Sequence, residues 1–155
     1  MQKHKTIFRE MPLSEITLRR YEKPQNLSQR ELIRKTCLSL GLLQPGDSRD
    51  VIVDIFNVLV KAKKDSKLHT SEEICSLVKH ERKNAGLSML GVAPSNVRRQ
   101  LKRLKDLYIA EKRLDGYRIV EHENLEKIFE DYIERVLLIA TVSRIKEYLK
   151  KIDEL

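Results

Sequence analysis

The chain has 155 residues, enough for one globular domain with its own core. Charged residues make up 35% of it and the formal net charge is +8, a balance that favours an acidic partner, nucleic acid first and an anionic membrane surface second. No run approaches the about 18 consecutive apolar residues of a membrane span. The start is polar and basic, unlike a signal sequence, and the two cysteines, Cys37 and Cys75, form neither a redox motif nor a disulfide framework. The expectation is a cytoplasmic protein with no membrane association.

Residues 1–27 read as irregular, with "ITLRRY" (16–21) as a short strand or an extended basic arm. A helix is expected from Ser28, because "SQRE" has the capping-box form with Glu31 three residues on, and Gly41 should stop it. "QPGDS" (44–48) is a turn. The next helix should open at Asp47 or Ser48 and run to about Lys63. Val51, Ile55, Val58, Leu59 and Ala62 form its core stripe, and Ile52, Phe56 and Val60 make it apolar on more than one side, so it should be central. "TSEE" (70–73) is a second capping box, opening a helix to about Lys83 with Ile74, Leu77 and Val78 inward. "NAGLSMLGVA" (84–93) is a connection punctuated by glycine.

The stretch 94–120, "PSNVRRQLKRLKDLYIAEKRLDGYRIV", holds eight basic and three acidic residues. Its first half predicts a helix over 95–107 opened by Pro94. Val97, Leu101, Leu104 and Leu107 share one side of it. Ser95, Arg99, Lys102 and Asp106 lie opposite, flanked by Arg98 and Arg103, with Asn96 in the first turn. Such a face can reach base edges and phosphates in a major groove. "IAEKR" and "GYRIV" then flank "LDG", which predicts a hairpin over 109–120, with Asp115-Gly116 supplying positive φ and Lys112, Arg113 and Arg118 near its tip.

The order helix 51–63, helix 71–83, helix 95–107 and basic hairpin 109–120 resembles a winged helix-turn-helix. The run "APSNVRRQLKRLKDLYIAEKR" is similar to the recognition-helix-to-wing segment of prokaryotic and archaeal transcription regulators, with Val97, Leu101 and Leu104 at their apolar positions. The resemblance implies a mainly α-helical fold and sequence-specific binding of double-stranded DNA. It makes Ser95, Asn96, Arg98, Arg99, Lys102 and Arg103 the DNA-facing set, and Lys112, Arg113 and Arg118 the contacts of the wing. The connection between the second and third of these helices is longer than the usual helix-turn-helix turn.

Residues 123–153 contain neither Gly nor Pro and predict one long helix, roughly 45 Å if unbroken. Leu125, Phe129, Tyr132, Val136 and Ile139 keep a four-three beat. Leu138, Val142, Ile145, Leu149 and Ile152 continue it one residue out of phase. Such a wide apolar perimeter asks for two partners, so a homodimer through Phe129, Tyr132, Val136, Ile139, Val142, Ile145 and Leu149 is expected. This tail is mildly acidic, with six basic and nine acidic residues over 121–155, so the basic excess belongs to 1–120. The organisation expected is an arm and accessory helix (1–47), a DNA-binding domain (48–120) and a dimerisation helix (121–155).

His4, His69, His80 and His122 are scattered, and Cys75 and His80 are five apart, poor chelating geometry beside the i, i+4 pair of a zinc helix. "GLSMLG" lacks the Lys-Ser/Thr of a phosphate loop, and no nucleophile–base pair stands out. The reading is therefore not an enzyme, with no metal, cofactor or small-molecule ligand. Two alternatives share the same basic face: a winged-helix module for protein contacts in a replication, transcription or chromosome complex, and an RNA-binding protein.

Overall fold

The structure, a computed structural model, describes residues 15–16 and 23–155. Apart from Ile16, the expected strand or arm at 16–21 lies outside the described residues. The fold is mainly helical, with one small antiparallel hairpin.

Helix α1 spans Gln29–Ser39, and its capping box forms as expected: the Ser28 hydroxyl accepts from the Glu31 N–H, and the Glu31 carboxylate accepts from the Ser28 N–H. Helix α2 spans Val51–Lys64 and is the centre of the molecule, with every residue from Val51 to Leu59 buried. It packs against α1, against α3 (Ser71–Asn84), against α4 (Pro94–Asp106) and against the second strand of the hairpin. It begins at Val51 rather than at Asp47 or Ser48. Asp50 stands at its N-cap without capping it, because the Asp50 carboxylate is held by Arg30, Arg34 and Arg82 instead. The second capping box, Thr70 with Glu73, opens α3 as expected.

Strands β1 (Ala110–Arg113) and β2 (Gly116–Ile119) pair with Arg113 opposite Gly116, so the connecting loop is Leu114-Asp115. Only Gly116 takes positive φ there, at 140°; Asp115 does not, which corrects the expected Asp-Gly geometry. The glycine is needed for a different reason. His69, in the link between α2 and α3, bridges to Tyr117, with N–H···O distances of 3.1 and 2.8 Å. A Cβ on Gly116 would sit 2.4 Å from the His69 carbonyl oxygen.

The long terminal helix is not uniform. It consists of α5 (Leu125–Ile128), a π-helical segment (Phe129–Leu138) and α6 (Ile139–Asp153), with Asn124 capping its start. In a π-turn the hydrogen bond spans five residues. That winding lets Ile128 and Ile133, five apart, both enter the core, where they are 2% and 1% exposed. The core therefore runs unbroken from Ile33 and Cys37 of α1, through α2 and α4, to this segment. Among the described residues no helix is long and apolar enough to cross a membrane.

Candidate nucleic-acid interface

Helix α4 is anchored by Val97, Leu101 and Leu104, each fully buried. Fixing that side fixes where the others point. Pro94 occupies the first turn, and Ala93, the N-cap, offers no side-chain bond to the helix amides. No acidic residue lies in that turn, so nothing on the helix itself opposes an anion at its positive end.

The residues expected to face DNA from α4 divide into two sets. Ser95, Arg98 and Lys102 are exposed. Arg98 lies toward the start of α3. The Glu72 carboxyl there is held below the usual carboxylate range first by backbone N–H bonding and by Ser71, and further by the charge of Arg98. Lys102 pairs with Asp106 at 2.6 Å along the helix, an exposed pair of the kind worth little.

The second set turns the other way, toward the 41–52 segment. Asn96 donates to the Gly91 carbonyl at 2.6 Å and accepts from Arg99 at 2.7 Å and Gln100 at 3.1 Å. Arg103 donates to the side-chain oxygen of Gln100 at 2.8 Å and to the Gly41 carbonyl at 3.3 Å. Asn96 and Arg103 are thus not free members of an outward face, contrary to the sequence expectation. They tie the helix to its neighbours, while Arg99 lies between the two sets, exposed.

On the hairpin, Lys112 is exposed and lies over the Tyr117 ring, 5.7 Å from its centroid. Arg113 is exposed and pairs with Glu111 at 2.9 Å. Arg118 does not project from the tip. It stands opposite Glu111 in the register and donates to it at 2.7 Å, with only 21% of its side chain exposed. Burial opposes the charge of Glu111, but bonds from the Glu121 N–H and Arg118 outweigh it and hold the carboxyl below its usual range.

The terminal helix also splits the expected contact set. Phe129 packs against the core, and Tyr132 stacks on Tyr108, with centroids 5.4 Å apart. Both are engaged within the chain. Val136, Ile139, Val142, Ile145 and Leu149 are exposed, together with Tyr148 and Ile152, and α6 has no buried residue at all.

The sequence reading missed two features. One is the charge cluster in which the buried Asp50, Asp54 and Arg82 meet the half-buried Arg30 and Arg34, signalled by Asp54 as the one charged residue in the mostly apolar run "VIVDIFNVLV". The other is Arg49, which faces α4 across a cleft of about 340 Å³; its sequence context gives no signal. In comparison with known proteins, no family model matches the chain, and no curated protein or solved structure matches it significantly.

Proposed function

We propose that the chain is a winged helix-turn-helix protein that binds duplex DNA and acts as a transcription regulator. The observation that carries this reading is α4. Three buried apolar anchors hold it on α2 and α3, while Ser95, Arg98, Arg99 and Lys102 face solvent beside an uncapped first turn. The order α2, bridge segment, α3, α4, hairpin supports the winged-helix assignment, and Lys112 and Arg113 beside the hairpin loop supply the phosphate contacts of the wing. The exposed apolar stripe of α6 pairs two copies, which sets two recognition helices on one face of the duplex.

Selection of bound sequences from a random duplex pool tests this reading. A palindromic consensus is the expected result. Arg98→Ala should then cost about 1–3 kcal/mol on the selected site and blur one or two base pairs. A second reading, a protein-contact module, is favoured by Met89 and Leu90, which are 43% and 59% exposed just ahead of α4. It takes over if no duplex is enriched and Arg98→Ala changes binding to no nucleic acid.

A further inference from the structure

The cleft between the 41–52 segment and α4 shares only Arg99 with the outward face of that helix. Arg49, Arg99 and Arg103 all border it, with Asn96, Gln100 and one carboxylate, that of Asp47. Three guanidiniums against one carboxylate leave it net positive. Two of the three are fixed in place. Arg103 is held by Gln100 and Gly41, and Arg99 by Asn96, which is itself held by Gly91. Gly91 sits at φ +86°, and a Cβ there would come within 3.3 Å of the Asn96 amide nitrogen, so this corner of the wall is built close. Asp47 accepts from the Arg49 N–H at 2.9 Å, which shapes the turn that carries Arg49. The Arg49 guanidinium itself has no hydrogen bond or ion pair among the described residues.

Each guanidinium keeps most of its donors unspent, and their common complement is an oxyanion with acceptors in several directions. A carboxylate offers one planar fork, which a single arginine satisfies; a tetrahedral phosphate can engage all three. The volume, about 340 Å³, lies at the small end of ligand sites. It suits a phosphate and its ester linkage rather than a whole nucleotide. We propose that this cleft is a phosphate-binding site. The phosphate comes either from the backbone of a duplex lying along α4, which rests on the DNA reading above, or from a small phosphorylated molecule.

The experiment uses the full chain, labelled with ¹⁵N, titrated with inorganic phosphate and, at matched ionic strength, with chloride. Saturable movement of the Arg49, Gly91 and Gln100 amides is expected with phosphate only, weakened at least tenfold in Arg49→Gln. Arg49 is exposed, so this variant keeps the fold. In parallel, duplex affinity is measured across salt concentrations. If Arg49→Gln lowers the salt slope by about one ion, the backbone is the source. If the slope is unchanged while phosphate still moves the cleft resonances, the ligand is a small phosphorylated molecule. If the wild type binds no duplex, the DNA reading fails and the phosphate titration alone decides the cleft. The proposal is overturned if phosphate moves these amides no more than chloride does and the slope, where measurable, does not fall.

Discussion

Arg82 is 1% exposed and lies between two carboxylates, donating to Asp50 at 3.0 Å and also to Asp54. Its Nε donates to the Ser88 carbonyl at 2.7 Å, so one side chain joins α3, the start of α2 and the connection ahead of α4. Arg30 adds bonds to both carboxylates, and Arg34 to Asp50. A buried pair is not a large net gain, but removing one partner leaves a charge without compensation. Asp54→Ala should therefore cost about 3–5 kcal/mol in urea unfolding, a large share of an ordinary domain's stability. A loss below about 1 kcal/mol would mean that Asp50 alone holds Arg82. The cluster also sets an acid limit. Burial works against the Asp50 charge, but hydrogen bonds from Arg82 and Arg30 outweigh it and depress its pKa. A depressed folded pKa gives stability that is full above the unfolded value, about 3.9, and lost as pH falls through the folded one. Urea midpoints should hold steady from neutrality to about pH 5 and fall below about pH 4, less steeply in Asp50→Asn. Asp54 was legible as a buried charge from its apolar neighbours, but its arginine partners were not. They come from α1 and α3, and no local pattern encodes contacts between separate helices.

At the scale of elements, caps and the apolar side of α4 were legible, whereas Leu77, expected inward, is exposed on α3. Both capping boxes form, Pro94 opens α4, and the side holding Val97, Leu101 and Leu104 is the buried one. A helical wheel, however, separates only inside from outside. It could not show that Asn96 and Arg103 are drawn to Gly91 and Gly41, because those carbonyls come from other segments. The terminal helix failed differently. The four-three count assumed α geometry throughout, and the π segment re-aims the chain, so that Leu125, Ile128, Phe129, Ile133 and Leu137 face the core. The apparent phase change in the apolar beat falls at the end of that segment. The hairpin's details divide testably. Arg118 is spent on Glu111, so Arg118→Ala should lower stability by about 1 kcal/mol and, under the DNA reading, leave the salt dependence of duplex binding alone. Lys112→Ala should do the reverse, reducing the slope by about one ion with little effect on stability. If the two variants trade these signatures, the register-based assignment of the hairpin is wrong. Gly116→Ala should be worse than either, about 1–3 kcal/mol from the backbone alone with the contact at His69 added, and thermal unfolding would show it.

For the whole molecule, the question is what covers α6. Among the described residues the element it packs on is the π segment, and every residue from Ile139 to Asp153 is exposed. Leu138, Val142, Ile145, Leu149 and Ile152 fall at alternating steps of four and three, the spacing that two helices need to interdigitate along a shared seam. Val136 and Ile139 lie exposed beside the start of that seam. In the proposed dimer a symmetric pairing would bury the same stripe on both copies at once. The placement of these residues sharpens the test. Buried positions in a monomer cannot be charged without unfolding it, whereas Ile139 and Val142, 63% and 49% exposed, contribute nothing to the core. Ile139→Glu with Val142→Glu should therefore give a folded monomer, with unchanged helicity by circular dichroism and half the wild-type mass by light scattering. Under the DNA reading it should also bind a single half-site as well as before while losing the preference for paired half-sites. A wild type that is already monomeric at about tens of micromolar, where an interface of standard size holds, would exclude the dimer. A double variant that unfolds would instead place these side chains inside the monomer, against the arrangement described.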